Sequence, residues 1–177
     1  MHHTSFSAHY YVTTLSGLLR KPGVFFRESL DQETSLRAFL FLLISGVFST
    51  AAALLMNPDI RALLPTGILF VNAIGMSVLA AFTGYGIMVM MVGKKISFAR
   101  FFNIYAFSSG VILLASWIPF LVIITEPWRW ILIGTGLVKG GQMKKFQAFM
   151  IIILSITVMT LLFWSILPVL SVVKGKG

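Results

Sequence analysis

The stretch that decides the fold is FQAFMIIILSITVMTLLFWSILPV, residues 146–169, which contains no charged residue. About 20 consecutive apolar residues are needed to cross the ~30 Å hydrocarbon core of a bilayer, and this run is long enough. The whole chain has 177 residues, of which 58% are hydrophobic and only 11% charged. A soluble domain of that size could not bury so much apolar surface, so the solvent for this fold is lipid.

Four more apolar segments precede this one, and each is predicted to be a helix. The resulting fold class is all-α, a polytopic membrane protein with spans over 36–56, 66–92, 100–125, 128–142 and 146–169. These spans form one membrane domain, 36–170, between an N-terminal segment (1–35) and a short basic tail (171–177). The fourth is the weak one, because roughly 15 residues give only ~22 Å of helix. A re-entrant fourth segment is therefore the alternative.

The N-terminal segment is predicted to form a helix lying at the membrane interface. Leu15, Leu18 and Leu19 recur at helical spacing, and Phe25 and Phe26 offer apolar area to the bilayer. Basic side chains nearby are candidate contacts for anionic lipid headgroups, as are those of a later loop. The candidate headgroup contacts are Arg20, Lys21, Arg27, Lys94 and Lys95.

The distribution of basic residues predicts the orientation. Five spans place ten of the 14 Lys and Arg on one side, namely Arg20, Lys21, Arg27, Arg37, Lys94, Lys95, Arg100, Lys139, Lys144 and Lys145. The other side receives Arg61, Arg129, Lys174 and Lys176. A re-entrant fourth segment gives a weaker division, so we expect five spans with a cytoplasmic N-terminus.

Reactive side chains are scarce in this sequence. There is no Cys, the three His precede the first span, and ionisable groups fall at the ends of the predicted spans. Glu126, directly before Pro127, is interpreted as a helix N-terminal residue. We therefore predict no catalytic residue, no cofactor and no metal site, and we expect neither an enzyme nor a nucleic-acid-binding protein.

Small residues at four-residue spacing mark two helix faces that permit close packing. They are Ser45, Ser49 and Ala53 in the first span, and Ala73, Ser77 and Ala81 in the second. These faces are candidates for contact with a partner helix, and packing within the chain is the alternative. Asn72 and Asn103 are expected to hydrogen-bond between helices.

A series of motifs in consistent order resembles the Yip family of five-span membrane proteins, named for interaction with Ypt/Rab GTPases. The motifs are RKPGVFFR (20–27), SLRAF (35–39), GKKISF (93–98), YA (105–106), WILIG (130–134), GL (136–137) and the start of the last span (145–148). The resemblance implies a five-helix bundle with a cytoplasmic N-terminus but no known activity. The chain is similar to the bacterial members of this family, which implies a bacterial cytoplasmic membrane.

Two functions are compatible with these features. The first is a non-enzymatic membrane scaffold or accessory subunit, whose partners are lipids and other integral membrane proteins or a second copy of itself. The alternative is a small transporter or lipid-handling protein that acts as an oligomer, with a groove beside the fourth helix. Fold-level analogy alone does not decide between them.

Overall fold

The computed structural model describes residues 7–30, 33–56 and 63–174. Its α-helices in these ranges are α1 (Ala8–Arg20), α2 (Pro22–Glu28), α3 (Ser35–Met56), α4 (Leu63–Val92), α5 (Phe98–Leu113), α6 (Val122–Thr135) and α7 (Lys145–Lys174). A 3-10 turn (Pro119–Leu121) precedes α6, and a π turn (Gly136–Gly140) continues it. No strand occurs in the described ranges, which confirms the predicted all-α class.

Three of these helices, α3, α4 and α7, are long and apolar enough to cross a bilayer. Their bounds agree with the predicted first, second and fifth spans to within a few residues at most ends. Helix α5 has 16 residues, about 24 Å of helix. Helix α6 has 14 residues, and the π turn adds 5 more. The five-span count therefore remains a prediction, since α5 and α6 are each short.

The predicted third helix, 100–125, is wrong at its C-terminal end, because α5 stops at Leu113. The side chains that follow satisfy the last carbonyls: Ser116 Oγ donates to Leu113 O (3.1 Å), and Trp117 Nε1 donates to Leu114 O (2.9 Å). Pro119 then disfavours helix for the residue before it. A proline inside a membrane helix predicts a bend at Pro119 in the third span, but the chain leaves the helix before reaching this residue.

The predicted boundary at Glu126-Pro127 is also wrong. Helix α6 begins at Val122, so both residues lie inside it, and the predicted fourth helix starts six residues too late. Pro127 is the sixth residue of α6 and therefore removes one backbone hydrogen bond, to Ile123 O, a loss that membrane helices tolerate. The sequence Asn57-Pro58-Asp59 predicts a turn after the first span, and these residues lie outside the described ranges.

Helix α5 forms the centre of the bundle, with Phe101 and most of the following side chains buried as far as Ile112. It packs most extensively on α3, where Gly110 faces the ring of Phe41. The Phe41 ring in turn lies 5.4 Å from Phe107 and 4.7 Å from Tyr11 of α1, centroid to centroid. The core is thus an aromatic cluster shared by the N-terminal segment and the membrane helices.

The N-terminal segment does not present its phenylalanines to lipid as predicted. Phe26 is completely buried and Phe25 nearly so, with the Phe25 ring edge-on to Phe107 at 5.3 Å. Helix α2 packs on the π turn, where a Cβ on Gly140 would lie 2.9 Å from the Phe26 carbonyl oxygen. The apolar side of α2 is buried in the protein core. It is therefore not available to the bilayer interface.

Candidate functional site

A polar pocket lies where α4, α5 and α6 meet, at the end of the bundle at which α5 leads into α6. Its volume is about 140 Å³. Polar side chains from all three helices line it, together with Ser116 from the linker: Asn72 and Ser77 (α4), Ser109 (α5), Glu126 and Arg129 (α6). Such a group of polar side chains is unusual in a bundle that is otherwise apolar.

An ion pair dominates the chemistry of this pocket. Arg129 Nη1 lies 3.4 Å from Glu126 Oε1, and the guanidinium carbon lies 5.2 Å from the Trp130 ring centroid. The sequence placed these charges at span ends, whereas the structure places them within α6. Within the described residues, Arg129 Nε and Ser109 Oγ are buried and have no hydrogen-bond partner. The pocket can therefore accept hydrogen bonds from, or donate them to, water or a small polar group.

The outward side of α4 begins at the mouth of this pocket. Seven residues on it are spaced alternately four and three apart, and all are exposed: Ile68, Asn72, Gly75, Leu79, Phe82, Gly86 and Val89. We call this set the α4 face. A Cβ added at Gly75 or at Gly86 would meet no atom within 4 Å. The α4 face is therefore an uncovered surface with two notches and one amide.

The predicted small-residue faces lie mostly inside the chain. Ser45, Ser49, Ser77 and Ala81 are buried, and Ala53 is partly buried. Ser45 Oγ donates to Phe41 O (2.9 Å) and lies 2.8 Å from the Tyr11 hydroxyl, and Ser49 Oγ lies 3.2 Å from Ser116 Oγ. These residues serve the packing of helices within the chain, so bulky substitutions there would disturb the fold itself.

The five predicted headgroup contacts are all exposed: Arg20, Lys21, Arg27, Lys94 and Lys95. The first three lie on α1, on α2 and at the junction between them, and the two lysines lie in the loop after α4. Gly93 opens that loop with φ of 78°, a conformation that other residues rarely adopt. The structure brings neither set into a closed site.

Polar contacts fasten the N-terminal helix to the start of α3. The Tyr10 hydroxyl donates to Glu33 Oε2 at 2.6 Å, and Arg37 Nη1 lies 3.9 Å from the same oxygen. Burial raises the pKa of the Tyr10 phenol, and the neighbouring Glu33 carboxylate raises it further. Asn103 of α5 donates through Nδ2 to Glu33 O at 3.1 Å, so this amide bonds to the segment before α3 and not, as predicted, to another helix.

The sequence contains a signal for the α4 face. Its residues follow a spacing of four and three, a seven-residue repeat, whereas the predicted small-residue faces follow a spacing of four only. Which of the several apolar sides of α4 remains uncovered depends on how α3, α5 and α7 surround it. For the polar pocket, the signal is the spacing of Glu126 and Arg129, one helical turn apart. The predicted fourth span begins at residue 128, so it does not place the two residues on the same helix.

Comparison with known proteins gives one match. Residues 16–166 match the family model of the Yip1 domain, which is most of the chain. No curated protein and no solved structure matches the chain. The Yip1-domain proteins are not known as enzymes.

Proposed function

Because this chain belongs to the Yip1-domain family and is a multi-pass membrane protein, we propose that it is a non-enzymatic scaffold or accessory subunit that binds another membrane protein within the bilayer. The observation that carries the proposal is the α4 face. Exposed apolar residues by themselves are expected wherever a helix touches lipid. Notches at Gly75 and Gly86 and an amide at Asn72 are the features that favour a second helix instead.

The geometry of the α4 face suits a helix partner. Positions spaced alternately four and three residues apart keep one seam facing a neighbour when two helices cross at about +20°. Without a Cβ, Gly75 and Gly86 allow the two backbones to approach closely, which increases van der Waals contact. Asn72 can donate a hydrogen bond to the partner, worth up to about 1–2 kcal/mol in a membrane.

The outer part of α7 supports the same proposal. Residues 160–165 are all exposed, so the other described helices leave every side of α7 at least partly open there. Helix α7 lies beside α4, since Thr83 Oγ1 donates to Met159 Sδ at 3.7 Å. A partner on the α4 face could therefore also reach α7, and the two helices would together form a wider docking surface.

Bulky substitutions on the α4 face should remove the partner while leaving the fold intact. At both glycines an added Cβ enters open space, so the purified Gly75→Leu and Gly86→Leu variants should be at least as stable as the parent. After native extraction in mild detergent, the parent should be found in a larger assembly with its partner. Both variants should be found without the partner. Size on native gels and mass spectrometry of the copurifying proteins measure this.

Gly67→Leu is the matched control, because Gly67 is also exposed and unobstructed but lies beside the α4 face. This variant should keep the assembly. Loss of the assembly in Gly67→Leu, or its persistence in the other two variants, would overturn the α4 face as the docking surface. An assembly that forms equally from the purified chain alone would identify the partner as a second copy.

A small transporter is the second candidate function, and the polar pocket with its Glu126–Arg129 pair is the observation that favours it. Transport predicts flux of an ion or polar solute in liposomes containing only this chain, with flux lost in Glu126→Gln. The scaffold proposal predicts no flux from the parent chain or from Glu126→Gln. Because Glu126 is partly exposed, the substitution should not unfold α6.

We propose further that the protein crosses a bacterial cytoplasmic membrane five times with its N-terminus in the cytoplasm. The exposed basic residues on α1, on α2 and after α4 support this orientation, because basic residues favour the cytoplasmic side. They would contact anionic lipid headgroups there. The short helices α5 and α6 leave one alternative, a hairpin that enters the membrane and returns without crossing.

Position 120 distinguishes five spans from a returning hairpin. Phe120 is 84% exposed and lies in the turn between α5 and α6. Since the chain lacks Cys, the Phe120→Cys variant carries a single thiol, which an impermeant maleimide should label on intact cells. Lys95→Cys should be labelled only after the cells are opened. Absence of labelling at position 120 in both conditions would indicate the hairpin.

A further inference from the structure

An apolar groove of about 350 Å³ runs between α6 and α7 at the end of the bundle where residues 141–144 join them. Its walls are apolar, with Ile131 and Val138 on one side and Ala148, Phe149 and Ile152 on the other. Ile131 and Phe149 are more than half exposed, so the groove is open along its length. From Ile131 to Lys139 it follows about 12 Å of helix.

Two lysines stand at one end of the groove, Lys139 on the π turn and Lys145 at the first residue of α7. The N-terminus of α7 adds the partial positive charge of unpaired backbone N–H groups. None of the residues lining the groove is acidic. The end of the groove with the two lysines, which we call its mouth, is therefore cationic. The rest of the groove is apolar and continues directly from the mouth.

This combination matches one kind of molecule. We propose that the groove binds one anionic phospholipid, with an acyl chain along the apolar walls and the phosphate between Lys139 and Lys145. A zwitterionic lipid would fill the apolar part but gain less at the lysines. A free phosphate would meet the lysines but gain nothing from the walls. The proposal does not rest on the scaffold function, because the groove lies on α6 and α7 rather than on the α4 face.

The surroundings of Lys139 favour a formed site over a chance pair of surface lysines. A Cβ on Gly23 of α2 would lie 3.9 Å from Lys139 Cγ, so α2 packs against the stem of this side chain. Across the floor of the groove, a Cβ on Gly134 of α6 would lie 3.3 Å from Ile152 Cδ1 of α7. The two helices therefore approach each other closely there. Lys139 is exposed at the mouth with its aliphatic stem against α2, and the close approach of α6 and α7 closes the floor of the groove.

The test compares lipid binding to the purified full-length chain by native mass spectrometry, with phosphatidylglycerol and phosphatidylcholine added separately. We expect the parent to retain one phosphatidylglycerol and to bind it more tightly than phosphatidylcholine. In Lys139→Gln/Lys145→Gln, the affinity for phosphatidylglycerol should fall by roughly thirtyfold, since each basic residue near an anionic headgroup contributes about 1 kcal/mol. Glycerol phosphate should not displace the bound lipid.

Lys144→Gln compared with Lys145→Gln is the matched control, because the two lysines are exposed neighbours and only Lys145 lines the groove. Lys144→Gln should bind like the parent. The apolar part is tested by Ile131→Ser against Ile153→Ser, two exposed isoleucines of which only the first lines the groove. Equal losses in Lys144→Gln and Lys145→Gln, equal binding of the two lipids, or displacement by glycerol phosphate would each refute the phospholipid site.

Discussion

Replacing Phe26 by alanine is expected to lower the free energy of unfolding by about 3–5 kcal/mol, the usual cost of removing a fully buried phenylalanine. Its side chain is 0% exposed and lies edge-on to Phe25, with ring centroids 5.5 Å apart. The residue belongs to a seven-residue helix that could not persist alone. The loss should therefore separate α2 from the π turn as well as lower stability.

Val24→Ala on the same helix is the control, because Val24 is 44% exposed and should cost far less. Thermal unfolding in mild detergent, followed by the fluorescence of the four tryptophans, measures both variants. Limited proteolysis should cut the N-terminal segment of Phe26→Ala first. Equal stability of the two variants would show that α2 lies on the lipid surface, as the sequence had suggested.

Exchanging glycine for alanine should have opposite effects at two positions. A Cβ on Gly110 would lie 2.7 Å from two ring atoms of Phe41, and that ring is fixed between Tyr11 and Phe107. Gly110→Ala should therefore destabilise the protein by about 1–3 kcal/mol, as overpacking does. Gly86→Ala adds a methyl group in open space and should stabilise α4 by about 0.5–1 kcal/mol.

Both variants can be compared with the parent in the same thermal unfolding experiment. The sign of the difference is the result that matters, because the chemical change is identical. A stabilised Gly110→Ala variant would mean that α3 and α5 are not in close contact there. Destabilisation by Gly86→Ala in the isolated protein would mean that the α4 face is already covered, and this would also count against its role as a docking surface.

Sequence reasoning located the long helices well and the short ones poorly. The helices α3, α4 and α7 follow from uninterrupted apolar runs, since only a helix can satisfy every backbone group in lipid. In the region 100–142, the sequence indicated a helix end at Glu126-Pro127 and none before it, because the chain is apolar from Val111 to Thr125 apart from single polar residues. Its break depends on the hydrogen bonds of Ser116 and Trp117 to the end of α5, which composition does not reveal.

The candidate sites were harder to predict than the helices. The exposure of the basic residues could be anticipated, because an unpaired charge is costly to bury. The partner face could not, since Ser45 and Ser77 have the same small-residue signature as an interface but are covered by helices of the same chain. The groove between α6 and α7 combines residues from two segments, and neither segment indicates it alone.

By itself, the sequence determined that the protein is helical, that it lies in a membrane, and which family it resembles, because these depend on composition, on the length of apolar runs and on motifs along the chain. Only the tertiary structure decided that Phe26 enters the core, that Glu126 and Arg129 share a pocket with Ser109, and that the α4 face remains uncovered. In an apolar chain nearly every helix face could be buried or exposed to lipid at similar cost. Packing between distant segments decides which helix faces are buried, and no local sequence pattern predicts this.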